Sequence, residues 1–213
     1  MKHALRTLAL PTALAATLVL TGCGTADTSS HNDTRASGSA ASGAAASTAK
    51  NDADLVFATM MIPHHAQAVV MADMALKQTT DPKVLALATK IKAAQSPEIQ
   101  RMSAWLKGWG EPVPDTTGGS GGSGMAGMPG MGDQAGGMMS EQEIANLGRA
   151  SGSAFDRMWL QMMVKHHQGA VDMARTALAQ AANPDAKKLA ASIIAGQSAE
   201  IAEMNTLLAG IPA

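Results

Sequence analysis

One pattern occurs twice in this chain, 102 residues apart, and it constrains the fold more than any other feature. Asp54 matches Asp156, and Met60-Met61-Ile62-Pro63-His64-His65 matches Met162-Met163-Val164-Lys165-His166-His167. Ala68, Val69, Met71 and Ala72 match Ala170, Val171, Met173 and Ala174, and Phe57 is answered by Trp159. Pro82 matches Pro184, and Gln95, Glu98, Ile99 and Met102 match Gln197, Glu200, Ile201 and Met204. The offset never changes, so both copies keep the same element lengths and the same turn. Each copy reads as two helices joined by a short turn, a hairpin whose apolar face needs a partner. Two such hairpins predict an all-α four-helix bundle with an internal pseudo-twofold.

The residue palette agrees. Apolar residues make up 46% of the 213 residues, aromatics only 2%, and Tyr is absent. The core must therefore come from Ala, Leu, Ile, Val and sixteen methionines, a set rich in helix formers and poor in strand formers. A formal charge of −1 leaves no basic footprint for nucleic acid, and DNA or RNA is excluded as a partner.

Residues 1–22 read as a signal peptide, with Lys2 and Arg6 ahead of a short apolar run from Leu8 to Leu20. That run is too short to span a bilayer. It ends in Leu20-Thr21-Gly22-Cys23, which resembles a bacterial lipobox; the resemblance implies lipidation of Cys23 and a membrane anchor on the extracytoplasmic face. Cys23 is the only cysteine, so the chain has no internal disulfide. Cleavage would leave 14 basic against 17 acidic side chains, because Lys2 and Arg6 depart. Residues 23–51 form a tether with little to bury, and the bundle is expected over 52–213.

Repeat one spans 54–110. Asp52 or Asp54 is expected to cap its first helix, running to Gln78, and Asp81-Pro82 to start the second, running to Lys107. The linker 111–139 is Gly/Met-rich, and no core is expected in it. Repeat two spans 140–211. Ser140 and Glu143 have the spacing of a capping box for a short helix. A long helix over 153–181 follows, and Asn183-Pro184 starts the last.

Helical geometry divides the Met-Met-x-x-His-His element. At about 100° per residue, Met60, His64 and Met71 fall within about 40° of one another. His65 lies about 100° from His64 and shares its face with Met61. Met162 with His166, and Met163 with His167, repeat the arrangement, and the His64 and His166 faces are predicted to point most clearly inward. On the partner helices Gln95, Glu98 and Met102 share a face, as do Gln197, Glu200 and Met204. Glu98 and Glu200 are placed to accept the imidazole N–H of His64 and His166 and set the tautomer that binds metal, or to bind metal themselves. Imidazole with thioether is the donor pair suited to copper. The competing reading is that duplication copied a core along with its histidines.

The Met-Met-x-x-His-His elements, the segments Gln67-Ala68-Val69-Val70-Met71-Ala72 and Gln168-Gly169-Ala170-Val171-Asp172-Met173-Ala174, and the two Gln-x-x-Glu-Ile-x-x-Met helices resemble domain-of-unknown-function family 305. The resemblance covers residues 54–211. It implies a ferritin-like, extracytoplasmic bacterial protein, with copper or silver binding in some members. It also implies that Met60, Met61, His64, His65, Glu98, Met162, Met163, His166, His167 and Glu200 are characteristic positions. No enzymatic reaction is implied for the family, and the chain is expected not to be an enzyme.

Di-iron bundles place a glutamate three residues before the histidine, where this chain has Met61 and Met163. That exchange moves the preference from iron towards Cu(I) or Ag(I). Met125, Met128 and Met131 in the linker resemble the methionine clusters of extracytoplasmic copper handlers. The favoured function is a lipid-anchored protein that sequesters copper, as Cu(I) or Cu(II), or passes it to a copper-handling partner. The alternative is a non-metal helical bundle acting through protein contacts. Pro63 and Pro97, absent from the second copy, predict a kink or loosening of the first helix beside Met60 and His64 and unequal sites in the two repeats.

Overall fold

The computed structural model describes residues 49–116 and 136–211, and its elements are all helical: α1 (Asp52–Gln78), α2 (Pro82–Gly108), α3 (Glu141–Arg149), α4 (Gly152–Gln180) and α5 (Pro184–Gly210). The signal, the tether, Cys23 and the linker methionines Met125, Met128 and Met131 lie outside the described residues.

The helix starts follow local hydrogen bonding. Asp81 and Asn183 accept from the first amides of α2 and α5, each followed by proline at the first helical position. That proline loses nothing there, because its amide would be unpaired anyway. Ser140 and Glu143 form the expected capping box on α3. At α1 the expectation is corrected, because the cap is Asn51, not Asp52 or Asp54. The Asn51 side chain accepts from the Asp54 amide, and the Asp54 carboxylate accepts from the Asn51 amide at 2.8 Å. The same buried carboxylate also accepts from the amides of Ala182 and Asn183. One aspartate thereby ties the start of α1 to the turn between α4 and α5.

α1 packs along α2, and α4 along α5. The hairpins join through α1 against α4, while α2 and α5 barely touch and α3 rests on α4. α1 is long and apolar enough to cross a membrane, yet two-thirds of its most apolar stretch is buried inside the bundle. Contact with two neighbours explains that all-round apolar character.

The core is in two parts. One apolar cluster gathers Met71, Leu87, Ile91, Phe155, Trp159, Met163 and Met204, and the other Phe57, Met61, Met102, Leu106, Leu189 and Ile193. Along α1 the first begins at Ala68 and the second ends at Ile62; along α4 the boundaries are Met163 and Ala170. Both His-His pairs fall in the gap. A polar layer therefore crosses the middle of the bundle.

The end of the linker departs from expectation. Met139 is 3% exposed and belongs to the first cluster, so core does form at the linker's last residue. The Gln67 side chain fixes it there by donating to the Met139 carbonyl at 2.8 Å and accepting from the Met139 amide at 2.7 Å. Gly136 and Gly137 lie against α4 so closely that a side-chain carbon at Gly169 would stand 1.6 Å from the Gly136 oxygen. Gly137, at φ +88°, adopts a conformation that glycine takes without strain.

Candidate metal centre

Four histidines form the layer, and each is at most 1% exposed. His64 and His166, the faces expected to point most clearly inward, are buried, and His65 and His167 are buried as well, because α1 has α2 on one side and α4 on another. Faces about 100° apart on one helix can then both be buried. The His64 and His166 rings lie 3.8 Å apart between centroids, tilted by 40°, where α1 and α4 meet.

The carboxylates serve the other pair. His65 Nε2 donates to Glu98 at 2.8 Å, and His167 Nε2 to Glu200 at 2.9 Å. The predicted pairing with His64 and His166 is thereby corrected: Glu98 and Glu200 approach from the hairpin partner, and the imidazole facing that partner is the second of each pair. The two carboxylates differ in setting, with Glu98 18% and Glu200 6% exposed. Lys90 also stands 3.9 Å from Glu200.

His64 Nε2 donates to the Gly136 carbonyl at 3.2 Å. A carbonyl only accepts, so the proton is on Nε2 and the lone pair on Nδ1. Among the described residues, Nδ1 of all four histidines and Nε2 of His166 have no hydrogen-bond partner. Burial sets the protonation. Desolvation, then repulsion from His65, lowers the His64 pKa to about 3. Desolvation, then His64, pushes His166 well below the ordinary imidazole value. Desolvation also lowers His167, against the opposing hydrogen bond to Glu200. These rings are neutral at pH 7, the form in which imidazole binds metal.

Met61, Met71, Met102, Met163 and Met204 are fully buried and fall into the two apolar clusters, on either side of the histidines. Met162 and Met173 are half-buried, each against one cluster. Met60, 2% exposed, lines a cleft of about 510 Å³ between α1 and α4, together with Met173, Gly136 and Gly169. Among the described residues, no three His, Cys, Asp or Glu side chains converge to hold an ion unaided. What meets is the His64–His166 pair, two neutral imidazoles with unpartnered Nδ1 atoms, with methionines in the apolar clusters on either side. That donor set fits a soft ion and disfavours Mg²⁺ or Ca²⁺, which need oxygen ligands.

Sequence reasoning missed Gly136, Gln67 and Gly169. A signal was present: Gln67 and Gly169 occupy the same position in the two copies yet differ completely. One grips the linker end and the other makes room for it.

The family described as Domain of unknown function (DUF305) matches residues 54–208. No curated protein sequence matches the chain. Among solved structures, a DUF305 protein from Streptomyces coelicolor is 31% identical at a TM-score of 0.65, covering 74% of this chain and 93% of its own. A DUF305 fragment from Deinococcus radiodurans is 31% identical at 0.64, covering 75% and 97%. CopM in its Cu(II)-bound form is 35% identical at 0.60, covering 74% and 96%, and CopM has also been solved with Cu(I) and with Ag. With the matched region extending from the start of α1 nearly to the end of α5, the chain belongs to the DUF305 family.

Proposed function

We propose that this protein binds copper or silver as cargo outside the cell membrane and holds it through histidine and methionine. The observation that carries the reading is the His64–His166 contact: two buried neutral imidazoles, 3.8 Å apart, whose unpartnered nitrogens face no competing proton. Leaving such atoms bare costs about 1–3 kcal/mol each, a cost that metal coordination offsets. Glu98 and Glu200 orient His65 and His167 through Nε2, leaving Nδ1 as the donor atom. The methionines on either side favour the reduced ion. The copper- and silver-bound CopM structures support the same class of cargo.

The chemistry in this reading is capture and release. Titrating the mature protein with Cu(I) against a competing chelator tests the reading. The His64→Ala, His166→Ala double variant is expected to lose at least about tenfold in affinity. Unchanged affinity would remove the ion from this layer, and loss of binding only on deleting 125–139 would move it to Met125, Met128 and Met131. No uptake at all would leave a bundle that acts by protein contact.

The lipobox at Cys23 supports anchoring on the extracytoplasmic face, in keeping with the secreted assignment given to the Streptomyces coelicolor relative. Cys23→Ser is expected to shift the protein from the membrane fraction to the soluble one. Retention in the membrane fraction would refute the anchor.

A further inference from the structure

The pseudo-twofold is broken between α1 and α4, and the break faces the histidines. The cleft between α1 and α4 is lined by Ala53, Val56, Phe57, Met60, Met173 and Ala177, among others. Shifted by the repeat offset, these become Phe155, Met158, Trp159, Met162, Met71 and Ala75. All six of those mates pack in or against the first apolar cluster, together with Met139 from the linker end and Ile144 and Leu147 from α3. Two related surfaces were thus generated by the repeat. One is covered by α3 and Met139, and among the described residues the other is open.

The open cleft reaches the histidine layer at a single residue of the linker end. Gly136 lines the cleft, and its carbonyl accepts from His64 Nε2. The strap Gly136–Met139 is seated by two devices, the paired hydrogen bonds of Gln67 to Met139 and the missing side chain of Gly169. Two thioethers, Met60 and Met173, line the route, and the carboxylates of Asp52 and Asp172 stand at its rim, the latter paired with Arg175.

Resting on the metal-carrying reading above, we infer that this cleft is the port through which a soft monovalent cation reaches His64 and His166, and that the strap is its gate. Met60 and Met173 make the first contacts, and the ion passes inward when the Gly136 carbonyl releases His64. Thioethers suit such a relay because they bind Cu(I) or Ag(I) and take no proton in exchange. The twofold-related surface is closed by α3, so the ion approaches from one side.

The test is the rate of Ag(I) loading into the metal-free mature protein, followed by stopped-flow displacement from a chromophoric chelator. Thr176→Trp, at an exposed position on the cleft wall, is expected to slow loading about tenfold or more while the equilibrium affinity stays at the wild-type value. Gly169→Ala collides with the Gly136 carbonyl and is expected to unseat the strap and speed loading about tenfold, the order of factor that loss of the one hydrogen bond from His64 to Gly136 allows. Gln67→Ala provides the same test without a steric insult. In that variant, hydrogen exchange at the Met139 amide should also lose its protection. Wild-type loading rates in Thr176→Trp, or in Gln67→Ala with an exposed Met139 amide, overturn the port or the gate respectively. Absence of Ag(I) uptake by the wild-type protein overturns the metal-carrying reading itself.

Discussion

His64 and His166 are held neutral because the bundle removes them from water, and this makes the metal-free fold sensitive to acid. His64 titrates near 3 in the folded protein against 6.5 when exposed, with desolvation as the main cause. As pH falls below the exposed value, the unfolded chain takes up a proton that the folded chain refuses. Stability is therefore intact above about pH 6.5 and is lost progressively below it, by up to about 1.4 kcal/mol per pH unit for each such group. His166 and His167 act in the same direction. The urea midpoint of the metal-free protein is expected to drop between pH 7 and pH 5, and His166→Leu to flatten that dependence. A midpoint independent of pH would show that these rings are not desolvated in solution.

At the scale of the elements, Pro63 stands inside α1 where α4 has Lys165. The sequence predicts a looser helix and unequal sites from that difference. α1 nevertheless runs unbroken from Asp52 to Gln78, and the inequality of His64 and His166 comes from the strap, since only His64 bonds to Gly136. An interior proline forfeits the bond to the carbonyl four residues back and crowds it. Pro63→Ala is accordingly expected to raise unfolding free energy by about 1–3 kcal/mol, read from urea denaturation. No gain would mean that α1 carries its proline without cost, through a relaxed carbonyl at Thr59.

Across the whole molecule the two hairpins are held by α1 against α4, with little help from α2 against α5. Trp159 bridges that junction. It is fully buried in the first cluster, and its indole N–H donates to the Met71 carbonyl at 2.8 Å. Trp159→Ala is expected to cost about 3–5 kcal/mol in chemical denaturation, whereas Trp159→Phe, which keeps most of the volume, should cost about 1 kcal/mol for the lost hydrogen bond. Equal effects would place the importance of Trp159 in the hydrogen bond rather than in the filled volume.

The repeat made the helices and their pairing legible in advance, because constant spacing, caps such as Asp81-Pro82 and Asn183-Pro184, and short turns act within one stretch of chain. The soft character of the donor set was equally legible, since ligand chemistry belongs to residue type. Which histidine meets which carboxylate was not. A helical wheel gives directions around one axis, and only the placement of α2 and α4 about α1 turned both His64 and His65 inward and set Glu98 against His65. The strap is the clearest case. Gln67 and Gly169 are 102 residues apart, and their complementary roles exist only once α1 and α4 lie side by side with Gly136 between them.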